Sequence, residues 1–135
     1  MIQEDYVSFD VAKLLEEKGF NEYCPNSYFK VDRTLKKSGF SEWEKVNEIK
    51  APTQALAMKW LREWHNLFIE IQCYGCEADK KAHFEYSYVI SEYVRINNGI
   101  CTIFGLEERK AKSRFPSYET ACEAAIKYCL ENLVK

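Results

Sequence analysis

A chain of 135 residues that is 47% hydrophobic and 15% aromatic is long and apolar enough to bury a core, which excludes a disordered chain. A formal charge of −2 offers no basic face for a broad nucleic-acid footprint, and no apolar run reaches the length of a membrane span. The opening MIQEDYVSFD lacks the basic and apolar pattern of a secretory leader, so the expectation is a cytoplasmic protein whose six cysteines are small core residues, not a disulfide framework.

Ser8–Lys18 reads as a first helix. Ser8 is its cap, Asp10 lies in the first turn where the helix dipole favours an anion, and Val11, Leu14 and Leu15 face inward. Gly19 ends it, with Phe20 folding back onto Leu15. Cys24-Pro25-Asn26-Ser27 is a turn cluster, Ser27–Arg33 alternates like a short strand, and Lys37-Ser38-Gly39 is a second turn signal. Phe40–Ile49 is read as a pairing strand, although Trp43, Val46 and Ile49 also have helical spacing.

The stretch from Ala51 to Tyr74 is a capped amphipathic helix running straight into a strand. Pro52-Thr53 opens it, and Leu56, Ala57, Trp60, Leu61 and Trp64 form one apolar stripe with a period of 3.6. Both tryptophans are expected to be buried. The period then changes to two, with Leu67, Ile69, Ile71 and Cys73 alternating against Phe68, Glu70, Gln72 and Tyr74. A polar connection is expected over Gly75–Lys81, then a strand with Phe84, Tyr86, Tyr88 and Ile90 on one face. Asn97-Asn98-Gly99 signals a hairpin returning through Cys101–Phe104, and Glu107–Arg114 reads as a charged loop. Pro116-Ser117 opens a last helix that puts Ala121, Cys122, Ala125, Ile126, Cys129, Leu130 and Leu133 inside. In all three helices an apolar residue precedes the hydroxyl cap and an alanine follows it by four: Ala12, Ala57 and Ala121. The expected fold is one α+β domain, an antiparallel sheet with helices mainly on one face, in the order α-β-β-α-β-β-β-α.

Three segments carry a family resemblance: YVSFDVAKLLEEKGF, APTQALAMKWLREWHNLFIEI and SYETACEAAIKYCLENL. They cover the first helix, the central helix and strand, and the last helix. The set resembles a group of small proteins, of no established activity, from prophage-like and other mobile regions of gut anaerobic bacteria. That resemblance implies a cytoplasmic, phage-associated origin and carries over no site residue.

Chemistry is sparsely marked. Cys73 and Cys76 form a Cys-x-x-Cys, a spacing that holds zinc or runs redox chemistry, but no second ligand pair accompanies it. Alternation sends Cys73 into the core, while Cys76 is expected past a turn at Gly75, so the two thiols diverge. His65 at a helix end and His83 at a strand start read as structural. Arg109, Lys110, Lys112 and Arg114 follow Glu107 and Glu108 and read as a solvated loop. No Gly-rich phosphate loop occurs among the five glycines. No catalytic, cofactor-binding or metal-binding residue is assigned. The favoured function is a non-enzymatic accessory or interaction protein, with a protein partner or self-association, no membrane and no nucleic acid. The alternative is a small Cys/His enzyme or metal-binding protein using Cys73 and Cys76.

Overall fold

The computed structural model describes residues 1–36, 47–78, 81–96, 100–106 and 114–135, and among these described residues hydroxyl side chains start three helices. Ser8 Oγ accepts the Val11 N–H at 3.3 Å to open α1 (Phe9–Glu17). Thr53 Oγ1 accepts the Leu56 N–H at 3.1 Å to open α2 (Gln54–His65). Ser117 and Thr120 exchange bonds as a capping box at the start of α3 (Tyr118–Asn132). In each case the alanine four residues after the cap is buried to within 1% exposure, so the shared opening serves to seat a small residue against neighbouring elements. Gly19 closes α1 at φ 92°, a left-handed conformation that glycine takes at no steric cost. The Phe20 N–H then returns to the Leu15 carbonyl at 2.9 Å.

Among the described residues between α1 and α2 lie three short strands: β1 (Ser27–Phe29), β2 (Leu35–Lys36) and β3 (Glu48–Lys50). They form an antiparallel sheet in the order β2-β1-β3. The strand expected over Ser27–Arg33 stops at Phe29 because the chain turns there. Arg33 sits at φ 60°, its N–H bonds the Phe29 carbonyl at 2.9 Å, and Asp32 Oδ1 accepts the Thr34 N–H at 3.1 Å. The expected strand over Phe40–Ile49 and the turn at Lys37–Gly39 lie largely outside the described residues; the end of that strand is β3. This small sheet buries a carboxylate. Glu48, 1% exposed, accepts from the Ser27 hydroxyl at 3.0 Å and from the Lys36 ammonium at 2.9 Å.

α2 passes through Asn66, left-handed at φ 54°, directly into β4 (Leu67–Ala78). β4 pairs antiparallel with β5 (Lys81–Ile96), which pairs antiparallel with β6 (Ile100–Leu106), giving a second sheet in the order β4-β5-β6. The turn expected at Asn97–Gly99 lies outside the described residues and is flanked by Ile96 opposite Ile100. The connection expected over Gly75–Lys81 is mostly strand: the ladder stays in register as far as Ala78 opposite Lys81.

α2 and α3 pack on one face of this sheet, α1 packs against α3 and β3, and the core lies between them. Leu67 and Ile90 of the sheet join Val11 and Leu15 of α1, Ala57, Trp60 and Leu61 of α2, and Ile126, Cys129 and Leu130 of α3. Trp60 is 5% exposed, edge-on to Phe20 at 5.5 Å and to the His65 ring at 4.6 Å. The architecture is therefore α+β with antiparallel sheets, as the hydropathy pattern indicates. Among the described residues no helix is long and apolar enough to cross a membrane.

Candidate functional site

Trp64 departs from expectation. It shares the helix azimuth of buried Ala57, seven residues earlier, yet is 68% exposed. The cause is axial: Trp64 belongs to the last turn of α2, and Asn66 bends the chain away into β4 before any element covers that turn. The indole does not swing freely, because its Nε1–H donates to Glu22 Oε1 at 3.1 Å. A recess lies on either side. One of about 400 Å³ is lined by Glu22, Leu56, Lys59, Trp60, Glu63 and Trp64. The other, about 380 Å³, runs past Lys18, Asn21, Glu22 and His65. The indole thus stands as a fixed rib between two shallow recesses, with the edge of Trp60 beneath and ionic groups of both signs around. Burial holds the His65 imidazole below its usual pKa, so the ring set edge-on to Trp60 favours its neutral form.

Cys73 is exposed, correcting the expectation that it points into the core. The two-residue alternation is right and the burial is not. Along the helix-facing side of β4, Leu67 is buried, Ile69 and Ile71 are half-buried and Cys73 is open, because the strand runs out beyond α2 and α3. Cys76 also differs in place: it continues β4, opposite His83, while Cys73 lies opposite Tyr86. Among the described residues no group of three or more His, Cys, Asp or Glu side chains is placed to hold a metal ion. His83 instead meets Glu85 at 3.3 Å.

The remaining described thiols are core residues. Burial pushes Cys24 and Cys122 up to about 11 and Cys129 up to about 12, leaving them protonated and unreactive at neutral pH. Of the basic run, Arg109, Lys110 and Lys112 lie outside the described residues. Arg114 lies over the Tyr74 ring at 4.7 Å and donates to Glu85 Oε2 at 3.2 Å, so it serves the open face of the sheet and is not free for phosphate. Beside it, the Phe115 backbone bridges Tyr86 with bonds of 2.9 and 2.7 Å.

Sequence reasoning missed the Trp64 rib altogether. The stripe that contains Trp64 is continuous, and only the abrupt change of period at Leu67 hinted that the helix ends too soon to cover it. Scans against protein-family models, curated proteins and solved structures each return no match to this chain.

Proposed function

We propose that this chain is a non-enzymatic interaction protein, an accessory of a phage-like or mobile element, and that it grips a polypeptide partner at the Trp64 rib. The observation that carries this reading is a tryptophan exposed to 68% yet fixed by a hydrogen bond. A fixed indole presents large contact area at little entropic cost, which is why tryptophan is enriched among residues that dominate binding. Lys18 and Lys59 beside Glu22 and Glu63 favour a partner segment with an apolar anchor flanked by both charge signs over a polyanion or a cationic tail. The phage-associated part rests on the three resembling segments. The free thiols of Cys24, Cys73, Cys122 and Cys129 support a reducing, cytoplasmic setting.

The test is to pan a random peptide library with the intact chain and measure selected peptides by calorimetry. Peptides sharing one apolar anchor are expected, with affinity falling about 30-fold or more in Trp64→Ala, the loss typical of a dominant anchor. Peptides without a common anchor, or with equal affinity for Trp64→Ala, overturn the reading.

A further inference from the structure

β4 is an edge strand twelve residues long, and no described residue pairs with its outer side. Exposed edges of this length invite added strands, and proteins guard them with lysine, proline, bulges or brevity. Leu67–Ala78 contains no lysine, arginine or proline, and it pairs with β5 without a bulge. The other flank of β5 is taken by β6 and by the Phe115 bridge at Tyr86.

The backbone groups that face outward can be identified. The Tyr93 N–H bonds the Asn66 carbonyl, so the even-numbered residues of β4 turn their N–H and C=O toward β5. Tyr86 agrees: opposite Cys73, it turns both of its backbone groups away from β4 to Phe115. Leu67, Ile69, Ile71, Cys73 and Gly75 therefore direct theirs at the free edge. An incoming antiparallel strand must bond to those positions.

We propose that the strand that completes this edge is β4 of a second copy, paired antiparallel about a two-fold axis at Ile71, so that two three-stranded sheets become one of six. The ladder joins Ile71 to Ile71, Ile69 to Cys73 and Leu67 to Gly75 of the second copy. On the open face this register sets Phe68 opposite Tyr74 and Glu70 opposite Gln72. These are non-hydrogen-bonded pairs, whose side chains approach most closely. Phe68 and Tyr74 are 36% and 38% exposed in the single chain, and the pairing stacks them. Gln72 Oε1 already accepts from the Tyr74 hydroxyl at 2.6 Å, and in the pairing its amide N–H groups are the donors offered to the Glu70 carboxylate of the second copy. Shifting the register by two residues toward the N-terminus, which moves the axis to Glu70, sets Glu70 against Glu70; shifting it by two the other way, which moves the axis to Gln72, sets Glu70 against Tyr74 and parts the aromatics. Self-complementarity thus selects one register, and the pairing rests on the β4 edge, independent of the Trp64 rib.

Sedimentation velocity on the full chain across a dilution series tests the proposal. A dimer is expected that dissociates on dilution. Proline at 73 or 75 replaces an N–H that β5 does not use, at exposed positions, so Cys73→Pro and Gly75→Pro are expected to keep the far-UV spectrum and sediment as monomers. Gln72→Glu places two carboxylate pairs across the axis and is expected to weaken the dimer tenfold or more; adding Glu70→Lys is expected to restore it. A wild-type chain that stays monomeric up to about 1 mM overturns the proposal. So does a dimer indifferent to both prolines, which would sit on another surface. A dimer lost with the prolines but unmoved by the charge swap overturns the register, and a monomer that takes up a foreign peptide along β4 gives the edge to a different occupant.

Discussion

Replacing each tryptophan of α2 by alanine separates core from surface within one helix. Trp60 is 5% exposed and wedged among Phe20, His65 and the buried leucines, so its removal leaves a cavity that rigid neighbours fill only in part. Large aromatic-to-alanine changes at such sites cost about 3–5 kcal/mol. Trp64 keeps only about a third of its surface covered. At about 25 cal/mol per Å² of a side chain burying up to about 250 Å², that third is worth at most about 2 kcal/mol. Alanine's better helix propensity offsets part of it, leaving about 1 kcal/mol. For a 135-residue chain the unfolding entropy is about 0.28 kcal/mol/K, so Trp60→Ala should lower Tm by about 10–18 °C and Trp64→Ala by about 3–4 °C. Circular dichroism is the assay, since fluorescence would lose its own reporter. Equal losses at the two positions would refute the argument, as would a Trp60→Ala change under about 1.5 kcal/mol.

Thiol reactivity should follow burial. In dilute native protein Cys73 should react with a maleimide while Cys24, Cys122 and Cys129 stay unlabelled until denaturant is added, as read by peptide mapping; prompt labelling of Cys129 would contradict its placement in the core. The Glu48 carboxylate should make Lys36 unusually costly to remove. Lys36→Met is expected to cost about 3 kcal/mol, the low end for a buried pair because the ammonium is 19% exposed, and the double variant Lys36→Met/Glu48→Leu much less, both read by urea denaturation. A double variant as damaged as the single would show that the buried charge is not the source of the cost.

Local signals in the chain translated into structure where a short-range cause decides the outcome. The caps at Ser8, Thr53 and Ser117 depend on a hydroxyl and the next three N–H groups, and each formed where the sequence placed it. Gly19 needs only its missing side chain. Features decided at longer range were less legible. The strand at Ser27 ends early because Arg33 takes a left-handed conformation, a role more often given to Gly or Asn. Nothing local in the sequence marks Glu48 as buried, because its partners, Ser27 and Lys36, belong to the other two strands of the sheet.

The two surfaces assigned to binding share the reason they were hidden. Periodicity gives the face on which a side chain lies, and it gave that face correctly for both Trp64 and Cys73. It says nothing about how far along its axis an element is covered, which depends on the lengths of everything packed against it. α2 carries its apolar stripe into a last turn that its neighbours do not reach, and β4 carries its apolar alternation past the end of the helices. An apolar pattern that outruns its cover leaves surface exposed in the single chain, at a cost that occupancy by a partner removes. In both places the overrun is ordered: Trp64 is tied to Glu22, and β4 is held in register by β5. Both overruns lie in one continuous helix–strand segment, one at the junction of α2 with β4 and the other toward the far end of β4.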